Sequence, residues 1–145
     1  MKLNNFSTEI FAGINNKNLT FSNGLNVILG QNEAGKSTII NAIYSTLFQS
    51  AKIRLNRKND TEFYNRFFPY PNGDYIHGRV ELNIEGENYI FEKEWSRENP
   101  TQNLELPDGQ RIQNAKKFNE IKNELLKYGK GTYNNIVFTK QSAIK

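Results

Sequence analysis

Two periods take turns along the chain. Residues 2–11 and 17–21 read as two short strands joined by a turn around "AGINN". "SNG" at Ser22–Gly24 is a turn signal, and the apolar run Leu25–Leu29 ("LNVIL"), with its β-branched centre, predicts a buried strand. The period then changes. In "STIINAIYSTLF", Ile39, Ile40, Ile43, Leu47 and Phe48 recur at helical spacing, which predicts an amphipathic helix from about Lys36 to Gln49. Residues 51–73 lose all periodicity and predict a long aromatic, basic loop with a helical turn, in which Asp60–Tyr64 reads as solvated.

Period two returns at Tyr75–Ile84 and Asn88–Trp95, a hairpin closed through Gly86, and again at Asn103–Ile112, turning on Pro107-Asp108-Gly109. Residues 114–128 place Phe118, Ile121, Leu125 and Tyr128 on one helical face with lysines opposite, capped by Asn114 and Gly129. His77 falls mid-strand and reads as a residue of the sheet surface.

Composition narrows the function classes. A chain of 145 residues suits one compact domain or one lobe of a larger one. The absence of cysteine removes disulfide scaffolds, cysteine-ligated zinc, iron–sulfur clusters and thiol catalysis. No apolar run approaches the roughly 18–20 residues of a membrane span. The start "MKLNNFSTEIF" lacks the apolar core of a secretory signal, so a cytoplasmic protein is expected. A net charge of +4 is mildly basic, short of the footprint of a dedicated nucleic-acid binder.

The chemistry concentrates in "GQNEAGKST", Gly30 to Thr38, which fits G-x-x-x-x-G-K-[ST]. Each part has a physical reason. A loop whose N–H groups converge on phosphate needs dihedrals that side chains resist, so glycines stand at Gly30 and Gly35. A helix starting directly afterwards aims its positive N-terminus at the anion. Lys36 brings a mobile charge to the β- and γ-phosphates, the Ser37 hydroxyl is a hard oxygen ligand for Mg²⁺, and Thr38 adds a hydroxyl or N–H near the α-phosphate. The strand expected before the loop and the helix after it are the required context. The expected fold is therefore α/β: the N-terminal lobe of a P-loop NTPase, a mixed sheet around a phosphate loop plus antiparallel hairpins.

The wording of the loop resembles a narrower group. "GQNEAGKST" is similar to the phosphate loop of the SMC, RecF and SbcC class of ABC-type ATPases that act on DNA, and "NEAGKST" looks most like SbcC- and YhaN-type members. The opening strand, "IFAGI" and "LTFSNGLNVILG" resemble the same N-terminus, although Phe11 is followed by Ala12 and Gly13 where many members carry a basic residue. "NNIVFTKQ" resembles the approach to the Q-loop, which makes Gln141 the candidate glutamine for Mg²⁺ and the attacking water, 105 residues after Lys36. By the same resemblance, Asn32, Glu33 and Ala34 join the loop that binds ATP, and Asn32 faces the γ-phosphate or a partner head; a turn asparagine is the equal alternative.

The resemblance also implies what the chain lacks. No segment reads as a Walker B strand, four apolar residues ending in Asp, and no signature motif, D-loop or switch histidine is present. Residues 1–145 are thus expected to be an N-terminal lobe ending just after the Q-loop, able to bind ATP and nearly unable to hydrolyse it. Implied partners are the C-terminal lobe, a second ATPase head, DNA through the full assembly, and a metallophosphoesterase-type nuclease subunit. Double-strand-break repair or DNA end processing is the implied role, and a defence or regulatory ATPase that switches an effector is the alternative. An autonomous P-loop kinase or GTPase fits less well. Two basic groups, Lys52, Arg54, Arg57, Lys58 and Arg66, and Lys116, Lys117, Lys122, Lys127 and Lys130, could touch a DNA backbone, and a solvated face is the stronger expectation for both.

Overall fold

The computed structural model describes residues 2–20, 33–68 and 75–126, with residues 2 and 33–37 as backbone alone. Its frame is a six-stranded sheet in the order β2-β1-β3-β4-β5-β6. The strands are β1 Lys2–Phe11, β2 Ile14–Thr20, β3 Tyr75–Ile84, β4 Glu87–Ser96, β5 Thr101–Glu105 and β6 Arg111–Ile112. All five pairings are antiparallel. Among the described residues the sheet is therefore antiparallel rather than mixed, with the isolated bridge Lys52–Ser96 as its parallel contact. The reason is local: hairpin neighbours pair with each other, and only β3 reaches its place beside β1 across an intervening segment. The run Leu25–Leu29, expected as a buried strand, lies outside the described residues.

The hairpins fall where the turn residues put them. β3 and β4 close over Glu85 and Gly86, both at positive φ (52° and 86°), the backbone a two-residue hairpin demands. Asn83 Oδ1 accepts from the Gly86 N–H at 3.1 Å. β5 and β6 turn through Pro107-Asp108-Gly109, where Gly109 has φ 91° and Asp108 Oδ1 accepts from the Gln110 N–H.

Registry sorts the strands into two faces. Phe6, Val80, Phe91 and Leu104 stand side by side on one face and are all fully buried. Ser7, Arg79, Glu92 and Asn103 form the matching row on the other, which stays partly open. The helices gather on the first face. Helix α1, Glu33–Phe48, lies against β1, β3 and β4. It is not the amphipathic helix expected: from Thr38 to Gln49 no residue is exposed, and Ala42, Ser45 and Thr46 are buried along with Ile39, Ile43 and Leu47. Small residues on that side let helix and sheet approach closely. A Cβ on Gly78 of β3 would lie 2.2 Å from Thr46 Oγ1 and 3.3 Å from the Trp95 ring, so this contact requires glycine.

Helix α2, Lys58–Phe67, replaces the predicted solvated loop. "KNDTE" shows no apolar period, and no side chain caps the helix at Arg57. Its stability comes from packing, as for most short helices. Phe63 and Phe67 lie at 6.2 and 5.0 Å from the Phe11 ring, and Phe63 lies 5.4 Å from Trp95. The Phe67 carbonyl also accepts from the Ala12 N–H at 2.9 Å, tying α2 to the β1–β2 turn.

Helix α3, Ala115–Leu125, starts where expected, with Asn114 Oδ1 accepting from the Lys117 N–H at 3.0 Å. Phe118 packs edge-on to Phe91, while Ile121 and Leu125 are half-buried. Tyr128 and Gly129 lie outside the described residues. The lysine face is corrected at one position. Lys122 is buried, its Nζ 5.0 Å from the centre of the Phe48 ring. Among the described residues no helix is long and apolar enough to cross a membrane.

Candidate functional site

The predicted phosphate site falls on the first turns of α1. Glu33, Ala34, Gly35, Lys36 and Ser37 form its opening residues, so the helix begins three residues earlier than periodicity indicated and runs through Gly35. Thr38 follows, half-buried. Gly30 and Asn32 lie outside the described residues, as does Gln141. The structure thus places six of the nine predicted residues, Glu33 to Thr38, at one helix end.

A helix end of this kind suits a phosphate. Its first four N–H groups have no carbonyl partner within the helix, and its dipole carries roughly half a positive charge at this end. Lys36 and Ser37 sit within that same turn, so the donors suit an anion with a hard cation beside it. Among the described residues no group of three or more histidine and carboxylate side chains could hold a metal ion.

The body of α1 is firmly seated. The helix is surrounded from Thr38 onward, and Thr46 Oγ1 donates to the Ala42 carbonyl at 2.7 Å, keeping its hydroxyl satisfied inside the core. The far end is held by groups that sequence reading did not single out. Lys93 Nζ donates to the Gln49 carbonyl at 2.7 Å and Trp95 Nε1 approaches the same oxygen at 3.3 Å. Gln49 Nε2 donates to Asp60 Oδ1 at 2.9 Å, and Asp60 Oδ2 accepts from the Arg54 N–H at 2.9 Å. A signal for Lys93 existed: Phe91 and Trp95 flank it at i−2 and i+2, so strand parity turns Lys93 inward with them.

Other candidates take structural places. His77 is on the open sheet face, its side chain 12% exposed. Nδ1 accepts from the Glu9 N–H at 3.0 Å, so Nε2 carries the proton that meets Glu92 Oε2 at 2.7 Å. That hydrogen bond holds the Glu92 carboxyl below its usual range, against the opposing effect of partial burial. Lys52, Arg54, Arg57, Lys58 and Arg66 are exposed, as are Lys116 and Lys117; Lys122 is not, and Lys127 and Lys130 lie outside the described residues. A cleft of about 700 Å³ lined by Tyr64, Phe68, Tyr75 and Arg97 opens where β4 ends. Ser96 in its lining, next to Trp95 on the Gln49 carbonyl, places that cleft near the C-terminal end of α1, away from the end that carries Lys36 and Ser37.

Comparison with known proteins fits the motif. A family model described as an AAA domain, AAA_23, matches residues 1–145. The "DNA replication and repair protein RecF" of Hydrogenovibrio crunogenus is 32% identical over 124 residues, an alignment covering 77% of this chain and 34% of that protein. The chain therefore spans about a third of the length of the curated relative it matches.

Proposed function

The chain belongs to the AAA_23 family of AAA domains, and from that premise we propose that it is the ATP-binding N-terminal lobe of an SMC/RecF-type ATPase that works on DNA. The observation that carries this reading is the fit of Gly30-x4-Gly35-Lys36-Ser37 to a phosphate loop whose last residues open a helix seated in the core. Gly30–Thr38 would hold the phosphates of ATP, with Lys36 supplying positive charge to the β- and γ-phosphates and Ser37 a hydroxyl ligand for Mg²⁺. Gln141 would supply a second oxygen to the metal and orient the attacking water. When bound, Mg²⁺ neutralises charge that develops on the phosphoryl oxygens.

The chain binds better than it cuts. Its sequence holds no Walker B run, and a RecF relative is about three times as long as the part aligned here, which supports a second lobe that completes the site. Two such heads then close on ATP, and the closure moves whatever is attached to them. SbcC-like repair of DNA ends, with a metallophosphoesterase-type nuclease as partner, is the finer form of the proposal. It rests on the loop wording "NEAGKST".

Calorimetry with MgATP tests the core of it. The wild-type chain should bind, and Lys36→Ala should abolish measurable binding. Turnover tests the split site: robust ATP hydrolysis by residues 1–145 would contradict it.

A further inference from the structure

Helix α1 has a second anchored end, opposite the phosphates. Its 16 residues span about 24 Å at 1.5 Å per residue. Between Thr38 and Gln49 there is no glycine or proline to act as a hinge. A displacement at one end of such a rod is carried to the other.

At the far end, everything converges on Gln49. Its N–H continues the helix by donating to the Ser45 carbonyl at 2.8 Å. Its own carbonyl, one of the helix-end acceptors left without an internal donor, takes Lys93 Nζ at 2.7 Å and Trp95 Nε1 at 3.3 Å. Its side chain is tied to Asp60 at the start of α2. Lys93 is 3% exposed and its Nζ also lies 5.0 Å from the Phe118 ring of α3. Among the described residues it makes no ion pair with a carboxylate. A long, flexible side chain carrying an amino group is costly to bury in a core. An apolar residue flanked by Phe91 and Trp95 would pack here without that cost, so the amino group answers to the carbonyl it meets.

We propose that Lys93 is a positioning residue for the nucleotide site: by fixing the Gln49 carbonyl, it sets the axial position of α1 and thereby where the helix's first turn meets the phosphates. The inference rests on the reading of Gly30–Thr38 as that site. It assigns a role to a β4 side chain remote from the ligand, acting through the helix and not by contact.

The chain's single tryptophan makes the test direct, because Trp95 bonds the same carbonyl. MgATP is titrated into the full chain while heat and Trp95 emission are recorded together, for the wild type, Lys93→Met and Lys93→Gln. Binding should shift Trp95 emission in the wild type. Lys93→Met keeps the bulk without the donor and should weaken ATP affinity by about three- to tenfold, the scale of coupling through packed elements. Lys93→Gln, which restores an N–H, should recover part of that loss. Heat of binding with unmoved Trp95 emission overturns the positioning role while leaving the nucleotide site intact, and this arm needs no variant to fold. A Lys93→Met chain with a lowered unfolding midpoint and wild-type affinity overturns it too, reducing Lys93 to a stabilising residue. No heat in the wild type overturns the nucleotide site and the inference together.

Discussion

The two faces of one sheet use the same strands for opposite purposes. On the covered face, Phe6, Val80, Phe91, Trp95 and Leu104 are fully buried, and Thr8, Thr46 and Lys93 are polar groups each given a partner there. On the open face, asparagines bridge neighbouring strands: Asn5 Nδ2 donates to Asn18 Oδ1 at 2.8 Å, and Asn88 Oδ1 accepts from both Asn4 and Asn83. His77 Nε2 and Glu92 Oε2 add a hydrogen bond in the same setting. The covered face decides whether the helices are held, because shape and desolvation act there. The open face carries cross-strand pairs that contribute little each, because water competes for its exposed contacts. For the proposed function the covered face matters more: α1, on whose first turns the proposed phosphate site falls, packs against β1, β3 and β4 from that side.

Substitutions on the two faces should differ in scale. The largest effect is expected from Trp95→Ala, which empties the space shared by Phe11 and Phe63 and removes a bond to Gln49; chemical denaturation should show a loss of about 3–5 kcal/mol. Gly78→Ala should follow at about 1–3 kcal/mol, since the new methyl meets Thr46, whose branched side chain cannot swing away cheaply. Combining it with Thr46→Ala should recover part of the loss, and simple additivity in that cycle would mean the helix is not seated on Gly78. On the open face, His77→Ala should cost under about 1 kcal/mol, because Glu92 is 38% exposed and solvent screens the pair. A loss as large as that of Gly78→Ala would erase the distinction between the faces.

Acid and base should separate the faces as well. Burial, reinforced by the nearby Lys122 charge, pushes the Lys93 amino group well below its ordinary 10.5. Between the depressed folded value and 10.5 the unfolded chain holds more protons, so stability should rise with pH in that window, and Lys93→Met should flatten the rise. Glu92 behaves oppositely. Its folded value lies below 4.5, so its contribution is present above 4.5 and fades as pH falls through the lower folded value. Glu92→Gln should remove that acid-side slope and leave the alkaline one.

Much of this was readable from the sequence. Hairpin turns were legible because Gly86 and Gly109 must adopt positive φ, a local requirement that leaves a local mark. The α3 start was legible because Asn114 caps a helix with its own side chain. The family-level motif was legible because a phosphate loop imposes residue types at fixed offsets over nine positions. Helix α2 was not legible: its first residues are polar, and what holds it are Phe11 and Trp95, distant in sequence. The burial of Ser45 and Thr46 in α1 was also hidden, because the apolar period does not include them and only the sheet laid against the helix covers them.

Lys122 and Lys93 mark the boundary most clearly. By itself, the sequence determined where strands turn and where α3 starts, and it carried the motif from which the phosphate site is proposed, since these depend on neighbours a few positions away. Whether a lysine faces water or the core is settled by what the rest of the chain leaves beside it. Only the tertiary structure put Lys122 over Phe48 and Lys93 on the Gln49 carbonyl, because burying an amino group becomes tolerable only when remote segments bring an acceptor and aromatic faces to meet it.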